Sequence, residues 1–259
     1  MLIRKQEAKM QGGTVRSFWI CDDIVADTEY YNWRTGEWET IESKTSQRYF
    51  VDNLQGLGPG DTVKLFINSM GGSVKEALGI HSVLQRCGAK VIAYIDGFAA
   101  SAASIIAMAA ETVIMPRNTA MMIHNASWWA YGNPAQLRKS ADDLEVINKA
   151  AIESYTMHAG EKLSEEKLQQ MLDAETWLTA EDCIACGLAD QYAEDDADVE
   201  KVLALYSAQA QAQASGRESR MFAAPPAFLV GRYMAPAAKA EPKKEERSSL
   251  FMLLKSMTE

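Results

Sequence analysis

Histidine is scarce in this chain of 259 residues: His81, His124 and His158 are the only three. Any chemistry that needs an imidazole base must draw on one of them. Cysteine is nearly as scarce, at four (Cys21, Cys87, Cys183, Cys186), too few in a chain of this length for a disulfide framework. Cys183 and Cys186 form a lone CxxC with no second Cys or His pair nearby. They fall on a short predicted helix, so packing is expected of them, not metal or redox work; no metal and no cofactor is anticipated. No apolar run reaches the roughly 18 residues of a membrane-spanning helix, so no membrane partner is expected. The opening "MLIRKQEAKMQGG" lacks the apolar core of a signal peptide, and a cytoplasmic setting fits. An excess of positive charge is also missing: 26 basic against 35 acidic residues give −9, which argues against general nucleic-acid binding. The GxxxxGK[ST] pattern of a phosphate-binding loop is absent.

What remains is an ordinary globular composition, 47% hydrophobic and 24% charged, long enough for one sizeable domain with extensions. Charge divides it. Residues 216–259 hold eight Lys/Arg and five Asp/Glu, which leaves 18 against 30 in residues 1–215. Three regions follow: an N-terminal extension (1–16), a folded domain (17–192) and a low-complexity tail (193–259). The tail contains "SAQAQAQAS" (207–215) and buries little, so it is expected to be mobile. Its last apolar segment, "LFMLLKSM" (250–257), reads as a frayed helix or a docking segment for a partner.

Within the domain, strands and helices alternate. "TVKLFIN" (62–68) places Val63, Leu65 and Ile67 on one strand face. Residues 74–87 carry an apolar stripe at helical spacing. "KVIAYI" (90–95) reads as a strand covered on both faces, followed by a small-residue helix over about 101–110. "TVIM" (112–115) and "TAMMIH" (119–124) are short strands. A long helix starts at Pro134 with Asn133 as N-cap, its buried stripe expected from Leu137, Leu144, Ile147 and Ala151. Ser164 and "TAED" (179–182) cap two more helices, the second ended by Gly187. Such alternation predicts an α/β layered fold.

Three strand ends carry chemistry in succession. "SMGGS" (69–73) puts Gly71 and Gly72 where backbone N–H groups can face a ligand. "DGFAASAAS" (96–104) sets Ser101 among small residues, which suit either a packed helix start or a tight turn presenting a nucleophile. His124 ends an apolar strand where the chain must turn. A serine hydrolase needs a nucleophile, a base, a group orienting the base, and N–H donors for the oxyanion. Ser101, His124 and the glycine loop can supply three of these. Asp173 and Glu175 are both candidates for the orienting acid. His81 and His158 lie on helices and read as structural or solvated.

Together, "FINSMGGSV", "DGFAASAAS", "AMMIHNA" and "ETWLTAEDCIACGLAD" resemble the Clp protease proteolytic-subunit family, in family order, over about residues 17–192. Gly71 lies 30 residues before Ser101 and His124 lies 23 after it. The resemblance implies a spiral of repeated β-β-α units, shared with crotonase-like enzymes, and a handle element. It implies an acyl-enzyme serine peptidase with Ser101 as nucleophile and His124 as base. Gly72 and Ala102 would give the oxyanion-hole amides, with Gly71 shaping the loop. The family's aspartate falls at Glu175, with Asp173 the alternative; Met70 stands where the family usually has proline. Trp128, Trp129 and Tyr131 occupy the handle, implying a substrate groove or a contact in a homo-oligomeric ring, commonly of seven subunits and often doubled. The segment "WICDDIVADTEYYNWRTGEWET", the "ETWLTA" acid segment and the tail resemble Clp-related head maturation proteases of phages and prophages. Their implied substrates are capsid and scaffold proteins. The rival readings are a housekeeping peptidase fed by an ATP-driven unfoldase, a catalytically silent scaffold, and an acyl-coenzyme A enzyme of the same fold. The last has no need of a Ser–His pair at these strand ends.

Overall fold

Short apolar runs bounded by turn residues become strands, and stripes at 3.6-residue spacing become helices, in the computed structural model of this chain. It describes the backbone course of residues 6–10 and the whole of residues 13–193. All of these belong to one unit, Met1–Ala197. The tail expected over 193–259 lies outside the described residues apart from Ala193. Residues 1–5, 11 and 12 of the N-terminal extension also lie outside them.

In chain order the strands are β1 (Gln6–Met10), β2 (Gly13–Ile20), β3 (Thr28–Asn32), β4 (Glu37–Ile41), β5 (Thr62–Ser69), β6 (Lys90–Ala100), β7 (Thr112–Met115), β8 (Ala120–Ile123), β9 (Thr176–Thr179) and β10 (Gln191–Tyr192). The helices are α1 (Gln47–Leu54), α2 (Val74–Arg86), α3 (Ala102–Ala107), α4 (Pro134–Ala159), α5 (Glu165–Asp173) and α6 (Ala180–Cys186). β2, β5, β6, β7 and β10 are parallel neighbours in that spatial order, with β1 antiparallel at the edge. Parallel neighbours need crossovers, and helices supply them. β2 meets β5 from Val15 onward, within the 1–16 segment.

β5 shows why the sheet holds. Val63, Leu65 and Ile67 are fully buried, each worth roughly 1.5–3 kcal/mol relative to exposure. They meet a core built from α1, α2, α3 and the second half of α4. Phe66 points to the other face, where Trp19, Phe66 and Tyr94 stack across three strands at 5.2 Å centroid spacings.

β6 is longer than its sequence suggests. The strand expected to stop at Ile95 continues to Ala100, and the following helix is confined to Ala102–Ala107. The cause is a change of partner: β6 pairs with β7 through Ile92–Tyr94 and with β8 through Phe98–Ala100. Between the two, the β5 register slips, from Ile67 opposite Ile95 to Ser69 opposite Ala99. This bulge lets the Asn68 side chain accept a hydrogen bond from the Phe98 N–H at 3.0 Å, in space that a Cβ on Gly97 would fill.

α4 starts where expected, with a capping box between Asn133 and Gln136 behind Pro134. Its expected buried stripe is corrected. Leu137 is 44% exposed, Leu144 and Ile147 are half-buried, and the buried face is Ala151, Ile152, Tyr155 and Ala159. The first half of α4 extends past the core. An element not foreseen is the hairpin β3–β4, where Tyr31 packs edge-on against Trp38 and Glu39 accepts from Tyr30 and Asn32.

Candidate active site

Ser101 sits at the junction of β6 and α3 with φ 52° and ψ −126°. A non-glycine residue there stores about 1–2 kcal/mol of backbone strain. The surroundings hold it. Its N–H donates to the Met122 carbonyl at 2.8 Å. Its own carbonyl accepts from the Ser104 N–H at 2.9 Å and from the Ser104 hydroxyl at 2.6 Å. Ala99 and Ala100 are fully buried in β6. Their small size serves the packing behind the turn. Ser104, the third residue of α3, is bonded to the turn itself.

Because β8 pairs with the second half of β6, with Met122 opposite Ala100, the residue after β8 arrives beside the turn. That residue is His124, and its Nε2 lies 2.7 Å from Ser101 Oγ. This is the separation a base needs to take the hydroxyl proton. The segment beyond is tied down: Ala126 N–H donates to Asn148 Oδ1 on α4 at 2.7 Å.

The other two histidines stand apart from the junction. His81 (α2) is buried and the His158 (α4) side chain is almost covered. Burial holds both below the ordinary imidazole range, despite a hydrogen bond with the Met108 backbone at His81 and, at His158, the Asp190 carboxylate 3.6 Å away and a hydrogen bond with the Ala110 backbone. The CxxC thiols are free, and burial pushes both up and away from reactive thiolate.

The glycine loop abuts the serine. Gly71 (φ 104°) lies so close that a Cβ on it would stand 2.7 Å from Ser101 Cβ and from the Ala100 carbonyl oxygen. Gly72 (φ 142°) is pressed on Ile24, whose N–H donates to the Gly71 carbonyl at 2.8 Å and whose carbonyl accepts from Ser73 at 2.7 Å. These bonds leave the Gly72 N–H unused, and Ala102 begins α3. Neither N–H has an acceptor among the described residues. Beside the loop opens a cleft of about 750 Å³ whose lining includes Cys21, Val25, Asn68, Met70 and Phe98.

The acid is placed differently. β8 and β9 pair antiparallel with Ile123 opposite Thr176, so the next step of the register sets Glu175 across from His124. Glu175 is exposed, has φ 49°, and donates its N–H to the Leu172 carbonyl at 3.2 Å. Asp173 Oδ1 accepts from Asn125 at 2.8 Å and from Gln169 at 2.7 Å. Among the described residues, His124's hydrogen bond is the one to Ser101. Asn125, which sequence reading passed over, therefore links the histidine segment to α5; its position next to His124 was the available signal.

Trp128, Trp129 and Tyr131 are 47%, 88% and 90% exposed in the segment leading to α4, with Trp128 Nε1 donating to Ser140 at 2.9 Å. These aromatics are therefore not part of the core. Three exposed rings in four residues form the kind of patch that marks an interaction surface.

Residues 39–196 match the family described as Clp protease. The ATP-dependent Clp protease proteolytic subunit of Porphyromonas gingivalis is 27% identical over 144 residues, 54% of this chain and 64% of that protein. The subunit of the same name from Bacteroides fragilis is 28% identical over 155 residues, 59% of this chain and 72% of that protein. A ClpP1 point mutant from Listeria monocytogenes superposes with a TM-score of 0.54 at 20% identity, covering 70% of this chain and 92% of that one. That likeness shows the fold.

Proposed function

The chain belongs to the Clp protease family, whose members are serine peptidases, and from that premise we propose that it is a serine endopeptidase acting through Ser101 and His124. The observation that carries this is the 2.7 Å contact of Ser101 Oγ with His124 Nε2 at the turn between β6 and α3. Ser101 Oγ attacks the peptide carbonyl while His124 Nε2 takes its proton. The oxyanion is met by the N–H groups of Gly72 and Ala102, with Gly71 keeping the loop against the turn. His124 then protonates the leaving amine, and water, deprotonated by His124, releases the acyl group from Ser101. Glu175, across from His124 by register, orients the imidazole once its side chain turns inward; Asp173 already holds Asn125 and Gln169.

The substrates are proteins, and the working form is a homo-oligomeric ring. The exposed handle of Trp128, Trp129 and Tyr131, with the unburied first half of α4, supports the ring and a groove for the substrate chain. The phage reading, cleavage of capsid or scaffold proteins in prohead maturation, rests on the N-terminal aromatic segment, "ETWLTA" and the tail. The four free cysteines fit a reducing cytoplasm. The test is labelling by a fluorophosphonate, with Ser101→Ala and His124→Ala as controls. Labelling of the wild type alone is expected; labelling of Ser101→Ala would sink the assignment.

A second reading has support in the names of the relatives, ATP-dependent Clp protease proteolytic subunits. The chain would then be the peptidase core served by a separate unfoldase. Degradation of a folded substrate only with ATP and a bacterial unfoldase present would favour it over prohead maturation.

A further inference from the structure

The Ser104 hydroxyl is fully buried and sits between two oxygens, the Ser101 carbonyl at 2.6 Å and the Tyr155 hydroxyl at 2.7 Å. A carbonyl has no proton to give, so the Ser104 proton must lie toward Ser101. The Tyr155 hydroxyl, with one proton of its own, then donates to Ser104. The chain of donors runs Tyr155 to Ser104 to the carbonyl of Ser101, which also accepts the Ser104 N–H at 2.9 Å. Tyr155 is 1% exposed, and burial pushes its hydroxyl up to about 12, so it stays a donor through the neutral range.

The Ser101 carbonyl is one end of a peptide plane whose other end is the Ala102 N–H. In a trans peptide the two point in opposite directions. Fixing the oxygen from behind by two hydrogen bonds therefore fixes the direction of the N–H in front. Hydrogen bonds accepted by the oxygen also polarise the amide and strengthen its N–H as a donor. We propose that Ser104 and Tyr155 are positioning residues that aim and polarise the Ala102 N–H toward the developing oxyanion, reaching from the buried face of α4 to the back of the nucleophile turn. The proposal rests on Ser101 being the nucleophile.

The experiment is inactivation by a fluorophosphonate, read as a maximal rate and a half-saturating concentration. In that reaction an Oγ–P bond forms, the P–F bond breaks, fluoride leaves, and His124 takes the Oγ proton. Loss of a whole oxyanion donor costs about 10²–10³ in rate; an unaimed donor should cost a fraction of that, about tenfold for Ser104→Ala and about threefold for Tyr155→Phe. The half-saturating concentration should stay unchanged. Ser104→Ala strands the Tyr155 hydroxyl in the core and should also lower the unfolding midpoint. The double variant Ser104→Ala/Tyr155→Phe removes both polar partners and should recover that midpoint while its maximal rate stays low. A purely structural role predicts that rate returns with stability, and that result overturns the proposal. So does a change confined to the half-saturating concentration, or a wild-type rate in Ser104→Ala. An unlabelled wild type overturns the nucleophile assignment itself, whereas a labelled wild type with indifferent variants overturns only the positioning.

Discussion

Among the described residues, Ser101 and Glu175 are the two non-glycine residues with positive φ, at 52° and 49°. They flank the strand that delivers His124, one at the end of β6 and the other at the start of β9. Their surroundings differ. Ser101 is fixed through its N–H, its carbonyl and its hydroxyl, with buried alanines on either side. Glu175 is exposed and held by a single backbone bond to Leu172. It occupies the position after the C-cap of α5, where glycine is the favoured residue. Strain of this kind persists where something over-determines it or where function retains it. At Ser101 the packing supplies the first reason. At Glu175 the carboxylate is the remaining argument for keeping a side chain there.

Putting glycine at Ser101 breaks the comparison most sharply. Ser101→Gly keeps the turn and deletes Oγ, so hydrolysis should fall on the order of 10⁶-fold, measured against a fluorogenic peptide. The next largest effect separates the two acids. Glu175→Gln should lower the fluorophosphonate rate by about 10²–10⁴ if it orients His124, whereas Asp173→Asn, which disturbs only the Asn125 and Gln169 bonds, should stay within about tenfold of wild type. The reverse order would move the acid role to Asp173.

A pH series then probes the scaffold around the site. His81 and His158 are held below their ordinary range by burial, so the unfolded chain binds protons that the folded chain refuses. Stability is complete above about pH 6.5 and falls as pH drops below it. Thermal melts by circular dichroism should show this decline, and His81→Gln/His158→Gln should flatten it; a wild-type midpoint level from pH 7.5 to 5.5 would contradict it. The smallest effect is the most diagnostic of Glu175. Glu175→Gly should raise stability by about 1 kcal/mol in urea titration and still lose activity.

The serine, histidine and glycine positions were legible because each lies just past a strand end, where small residues or a chain reversal betray special backbone. The acid was not legible: Asp173 and Glu175 are two exposed carboxylates near the end of one helix, and a glutamate at a left-handed position runs against propensity. The extension of β6 through "DGFAA" was hidden because β8, distant in sequence, supplies its partner. The stripe of α4 was misread for the opposite reason. Leu137 and Leu144 have helical spacing, but the core ends before it reaches them. The hairpin β3–β4 left a readable trace in its aromatic strands around Gly36, although sequence reading used that stretch only for resemblance.

The exposed aromatics have an optical consequence. Of six tryptophans, Trp33, Trp38, Trp128, Trp129 and Trp177 are each at least 47% exposed in the folded chain. Native fluorescence should therefore already be red-shifted, close to that of the unfolded chain, and melting should move the emission little. What should shift it to the blue is a second surface closing over Trp128 and Trp129. In this protein the indole spectrum reports company better than it reports folding.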